Sequence, residues 1–134
     1  MHRLFCVLAL VGLAACNPGG LNTLNANQFK KSTKQGTDVE LAHWAYWDNS
    51  CAAEDFDVFI DTAPANGKTE IRDDVFAIPS KTSSGADTGC VDKIIESKKV
   101  FYVPAEGFTG QDTVVVTFSG SSGDVTNAYT ITVR

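Results

Sequence analysis

Lys99–Phe118 reads K-V-F-Y-V-P-A-E-G-F-T-G-Q-D-T-V-V-V-T-F, and after a Ser/Gly turn Ala128–Arg134 returns as A-Y-T-I-T-V-R. Val100 and Tyr102 alternate with Phe101 and Val103, the period of two that sends neighbours to opposite faces of a strand. Pro104 has no N–H to give a ladder, so it stands at that strand's end. Thr113–Phe118 is the most strand-prone segment, and its β-branched run does not alternate. This predicts burial on both faces, or a place at the centre of a sheet. Val125–Val133 alternates again, with Val125, Asn127, Tyr129, Ile131 and Val133 against Thr126, Ala128, Thr130 and Thr132. The pattern specifies a sheet rather than a chemistry.

The same signals continue upstream. In Thr37–Trp47, Val39, Leu41, His43, Ala45 and Trp47 share one face, read as core, and Glu40, Ala42, Trp44 and Tyr46 share the other. That phase sets Trp44 and Tyr46 side by side towards solvent. Phe56–Ile60 alternates as a second strand, and Thr62–Gly67 is a turn built on Pro64 and Asn66-Gly67. Lys68–Arg72 and Asp74–Ile78 read as one strand bent at Asp73-Asp74. Pro79–Gly89 is a polar surface loop, and Val91–Lys98 fits a short strand or a helical turn equally well. About seven short strands with no convincing helix predict an all-β, two-sheet sandwich of antiparallel strands over 37–134.

The C-terminal pattern also carries a resemblance. Tyr102-Val103-Pro104, then Gly107-Phe108-Thr109-Gly110-Gln111-Asp112 and Val114-Val115-Val116, resemble the Y-x-P … G-F-x-G-x-D-x-F signature of bacterial immunoglobulin-like and cadherin-like repeats of exported proteins. Pro64-Ala65-Asn66-Gly67-Lys68 fits the same register. The resemblance implies an immunoglobulin-like sandwich. In it, Phe108 plugs one end, Gly107 and Gly110 permit its turn after Pro104, and Asp112 caps that turn with its carboxylate. It also implies spacer, adhesive or interaction roles, usually in arrays. A single copy does little as a spacer, which favours binding.

Residues 1–15 have a basic start (His2, Arg3), an apolar run from Leu4 to Leu13 and small residues before Cys16. The run is too short to span a bilayer but suits an export signal. Leu13-Ala14-Ala15-Cys16 resembles the lipobox of bacterial lipoprotein precursors, which implies lipidation at Cys16 after cleavage. Asn17 stands where inner-membrane lipoproteins usually carry Asp, so the expected address is the outer membrane, facing periplasm or cell surface. Residues 16–36, rich in Asn, Gly, Ser, Thr and Lys, read as a flexible tether, with a short strand or turn near its end left open.

Without residues 1–15 the chain carries ten Lys/Arg against sixteen Asp/Glu, a formal charge of −6. No basic stripe is available for nucleic acid or for anionic lipid, so membrane contact is expected through the N-terminal lipid alone. Cys6 falls in the signal, and Cys51 and Cys90 remain as a pair in an exported chain, which predicts a disulfide. A zinc site would need both histidines, and His2 is in the signal.

Chemistry is harder to place. His43 lacks a visible catalytic partner and the serines lack a G-x-S-x-G setting, so neither an enzyme nor a cofactor is expected. Asp48, Glu54, Asp55 and Asp57 gather acid, as do Asp73 and Asp74; the first four are a weak candidate calcium set without a D-x-D-x-D-G loop. Trp44, Tyr46 and Trp47 are the candidate binding platform. The expected function is a non-enzymatic envelope module that binds a protein or glycan. The alternative is an inhibitor of an envelope-attacking hydrolase such as lysozyme, with Pro79–Gly89 entering the enzyme's cleft.

Overall fold

The structure, a computed structural model, describes residues 25–82 and 84–134. The signal-like segment 1–15, Cys16 and the start of the tether lie outside the described residues. One sheet has the order β1 (Asn27–Thr33), β9 (Gly123–Val133), β8 (Gly110–Gly120), β5 (Asp57–Thr62). The other has the order β2 (Val39–Trp44), β7 (Ile94–Pro104), β6 (Gly67–Ala77). Two short strands, β3 (Tyr46–Trp47) and β4 (Ala53–Glu54), pair with each other. With β2, β7 and β6 as strands B, E and D and β5, β8 and β9 as C, F and G, this is the immunoglobulin-like division of a sandwich.

β8 lies between β9 and β5, and Val114, Val115, Val116 and Phe118 are all buried, which is why its sequence fails to alternate. β6 keeps an unbroken register against β7 from Gly67↔Pro104 to Ala77↔Ile94, so Asp73-Asp74 makes no bend. Val91–Lys98 resolves as strand from Ile94 onward, continuous with Lys99–Pro104.

One expectation needs correction. Residues 27–33 of the presumed tether form β1, which runs parallel to β9 in the register Asn27↔Asn127 to Thr33↔Val133. The composition argument considered only side-chain burial. β1 instead satisfies its backbone on the β9 ladder, stacks Phe29 on Tyr129 and stays largely exposed. Among the described residues it is also the one strand that departs from the expected antiparallel pairing.

The principal core fills the space between the sheets. β7 supplies Val100 and Tyr102, β8 supplies Val114, Val116 and Phe118, and β9 supplies Tyr129, Ile131 and Val133. Each such side chain contributes about 1.5–3 kcal/mol relative to exposure. A second, smaller cluster of Ile78, Cys90 and Ile95, flanked by Ala45, Trp47, Cys51 and Phe76, sits on the opposite face of the β2–β7–β6 sheet. The Cys51–Cys90 disulfide, with Cα atoms 5.6 Å apart, ties the loop after β6 over this face. The loop is braced along its length by the Lys81–Asp87 ion pair at 2.7 Å and by Thr88 Oγ1 donating to the Pro79 carbonyl.

Candidate functional site

The aromatic platform does not form. A β-bulge between Glu40 and Ala42 inserts one residue into β2 and reverses its phase. Beyond the bulge Ala42, Trp44 and Tyr46 turn into the core, while His43, Ala45 and Trp47 turn to the disulfide-clad face. Trp44 stacks on Phe118 with ring centroids 4.7 Å apart. Tyr46 is buried and donates its hydroxyl to the Phe118 and Gly123 carbonyls at 3.2 and 3.0 Å. A Cβ at Gly120 would stand 2.7 Å from its ring, so glycine is required there. Trp47 stacks on Phe76. The two tryptophans thus report on different clusters rather than sharing a surface.

Asp112 also acts elsewhere than expected. Gly107 (φ 77°) and Gly110 (φ 133°) do adopt left-handed backbone around Phe108, which packs on the core. The buried Asp112 carboxylate, however, caps the neighbouring β5–β6 turn. It accepts from the Ala65 and Asn66 N–H groups at 2.9 and 2.8 Å, from the Thr113 N–H at 2.9 Å and from the Tyr102 hydroxyl at 3.1 Å. One carboxylate therefore joins β6, β7 and β8 at one end of the sandwich. Burial, and then this carboxylate, push the Tyr102 phenol well above its usual range.

His43 Nε2 and Ser97 Oγ lie 2.8 Å apart beneath the clad face, where the imidazole meets Phe76 edge-on. Ser97 is 4 % exposed and borders the cleft described next, while His43 is not among that cleft's lining residues. Asp48 is separate from the other acids: its Oδ1 accepts from the Ser50 N–H and hydroxyl and from the Ala52 N–H, closing the turn into Cys51. Among the described residues no three His, Cys, Asp or Glu side chains converge to hold a metal ion.

The surface feature that stands out is a cleft of about 800 Å³ on the side where β5 and β6 are the outer strands. On that side β5 has six residues, while β6 and β7 have eleven each. Val75, 59 % exposed, lies on the cleft floor, and Ala53–Asp57 forms the facing wall. Glu54, Asp55 and Asp57 on the wall meet Asp73 and Glu96 on the floor, with Asp74 at the rim. Lys98 is its sole lining base and pairs with Asp73 at 3.0 Å. Asp74 turns to Lys99 Nζ at 2.7 Å, a bond that holds its carboxyl below the ordinary range. Among the described residues Asp55, Asp57 and Glu96 have no ion-pair partner.

Three of these positions belonged to the expected acidic group, and Asp73-Asp74 was read as a separate one. Glu96 was missed, although it sits two residues before Lys98 on the same strand face. A concave, acidic cleft with one exposed valine on its floor is suited to binding cations that carry some apolar surface.

No protein-family description matches the chain, and no curated protein does. Among solved structures, the solution structure of amebosin is similar over 81 % of this chain and 98 % of that one, at 9 % identity and a TM-score of 0.41. At that score the likeness carries no argument.

Proposed function

We propose that this chain is a non-enzymatic binding module of the cell envelope, held to the membrane by lipid on Cys16, that engages a protein partner through the acidic cleft. The lipobox-like Leu13–Cys16, behind a short apolar run, supports the address and the outer-membrane anchor. The Cys51–Cys90 disulfide suits an oxidising compartment. The observation that carries the binding role is the cleft itself, where, among the described residues, Asp55, Asp57 and Glu96 stand without an ion-pair partner. With Trp44 and Tyr46 committed to the core, the reading narrows from protein or glycan to protein.

The test is binding of the full chain to an oligo-lysine peptide, followed by fluorescence anisotropy against an oligo-glutamate control. Selective binding that weakens with salt and is lost in Asp57→Asn/Glu96→Gln supports the reading. Equal affinity for both peptides would overturn it.

Inhibition of a hydrolase such as lysozyme is a second reading, favoured by the braced 79–89 loop with its Lys81–Asp87 clasp. Lysozyme working at full rate in saturating protein would remove it.

A further inference from the structure

The sandwich has a second unusual margin, opposite the cleft. β1 borders its sheet on one side and β5 on the other, so the free edge of β1 faces away from the β5–β6 mouth. Its residues Phe29-Lys30-Lys31-Ser32-Thr33-Lys34 hold three of the chain's eleven bases. Among the described residues, Lys30, Lys31 and Lys34 have no carboxylate within ion-pair distance. Phe29 beside them is 44 % exposed. An acidic cleft with one exposed valine on its floor and a basic strand edge with an exposed aromatic ring thus occupy opposite margins of one molecule.

We propose that the cleft takes the β1 edge of a second copy of this chain, so that copies join head to tail. The inference rests on the cleft being a protein-binding site and names its partner.

Strand alternation puts Lys30 and Lys31 on opposite faces of β1. A β1 edge entering between the sheets therefore offers one ammonium to Asp55 and Asp57 on the wall and the other to Asp73 and Glu96 on the floor. Phe29, stacked on Tyr129 of its own chain yet 44 % exposed, can cover Val75 on the cleft floor. Because the two margins are opposed, a molecule cannot fill its own cleft. Because the two surfaces differ, the contact is heterologous, and each added copy presents a fresh cleft. Lysines on an edge strand ordinarily deter pairing with other strands. Here the same charges repel a second β1 edge and admit only an acidic one, so they select the partner.

The experiment is sedimentation velocity of the full chain across a range of concentrations, with two charge-reversal variants, Lys30→Glu/Lys31→Glu and Asp57→Lys/Glu96→Lys. The wild type should associate without a fixed end point, at least about tenfold more weakly in high salt, where exposed charges are screened. Each variant alone should stay monomeric, and the two mixed should associate, since the unchanged β1 edge of one meets the unchanged cleft of the other. Should Asp57→Lys/Glu96→Lys fail to fold, Asp57→Asn/Glu96→Gln replaces it. Lys30→Glu/Lys31→Glu should still bind oligo-lysine.

Wild type that stays monomeric overturns self-docking; if it binds oligo-lysine, the cleft remains a protein site, and if it does not, both readings fall. Association that survives Lys30→Glu/Lys31→Glu, or variants that do not complement each other, also overturns the proposal.

Discussion

Two apolar clusters lie on opposite faces of the β2–β7–β6 sheet, and they are held by different means. The larger is closed by a second sheet, and Tyr102, Phe118, Val114 and Ile131 are fully excluded from water there. The smaller has three buried members and is covered by a loop, with a disulfide where a second sheet would be. The contrast teaches that burial alone suffices where two ladders enclose a volume. A loop laid over one sheet face needs a covalent tie, because its own residues bury too little to offset the cost of ordering them.

The largest expected effect tests the enclosed side. Phe118→Ala removes the side chain on which Trp44 stacks and should cost about 3–5 kcal/mol in urea unfolding. A loss under about 1 kcal/mol would mean that this core is not what holds the sandwich.

Replacing the disulfide by Cys51→Ser/Cys90→Ser comes next. The bridge closes a separation of 39 residues, for which the chain-entropy account gives about 4 kcal/mol. Hydrogen exchange should accelerate first at Ile78 and Ile95, with the β8–β9 ladder still protected. Equal acceleration in both regions would erase the distinction.

Asp112→Asn should cost about 1–3 kcal/mol, since an amide oxygen and an NH₂ cannot accept from four donors around one carboxylate. The loss should be read in the Trp47→Phe variant, whose remaining Trp44 reports on the core.

The smallest effect is acidic. The Ser50 hydroxyl first, and then the Ala52 and Ser50 N–H groups, hold the Asp48 carboxyl below its ordinary 3.8. A carboxyl that takes up protons less readily when folded stabilises fully above its unfolded value, and loses that contribution as the pH falls through the depressed one. Acid should therefore loosen the turn into Cys51. The change should be seen as a shift in Trp47 emission in a Trp44→Phe variant, and Asp48→Asn should abolish its pH dependence.

Strand identity was readable in the sequence because hydrophobic pattern and turn chemistry agree from Val100 to Val133. The disulfide was readable too, from cysteine arithmetic once the chain was read as exported. The phase of β2 was not. The bulge after Glu40 is defined by its pairing with Val100 and Phe101 on another strand, and nothing in T-D-V-E-L-A-H-W marks it. That single extra residue moved Trp44 and Tyr46 from the expected surface into the core. β1 was missed because Asn, Gln and Lys say little about backbone pairing with a remote strand. The cleft was legible only in pieces: its acids come from residues 54–57, 73–74 and 96, which only the assembled sheets bring together.

The parallel pairing of β1 with β9 joins residues one hundred positions apart, as in the Asn27–Asn127 side-chain bond. A chain delivered vectorially, N-terminus first, holds β1 without its partner until the final segment has emerged. Contacts of such long range slow folding and prolong the time in which sticky intermediates are exposed. Custody by a chaperone until synthesis is complete would therefore matter more for this protein than for one whose early strands pair with each other.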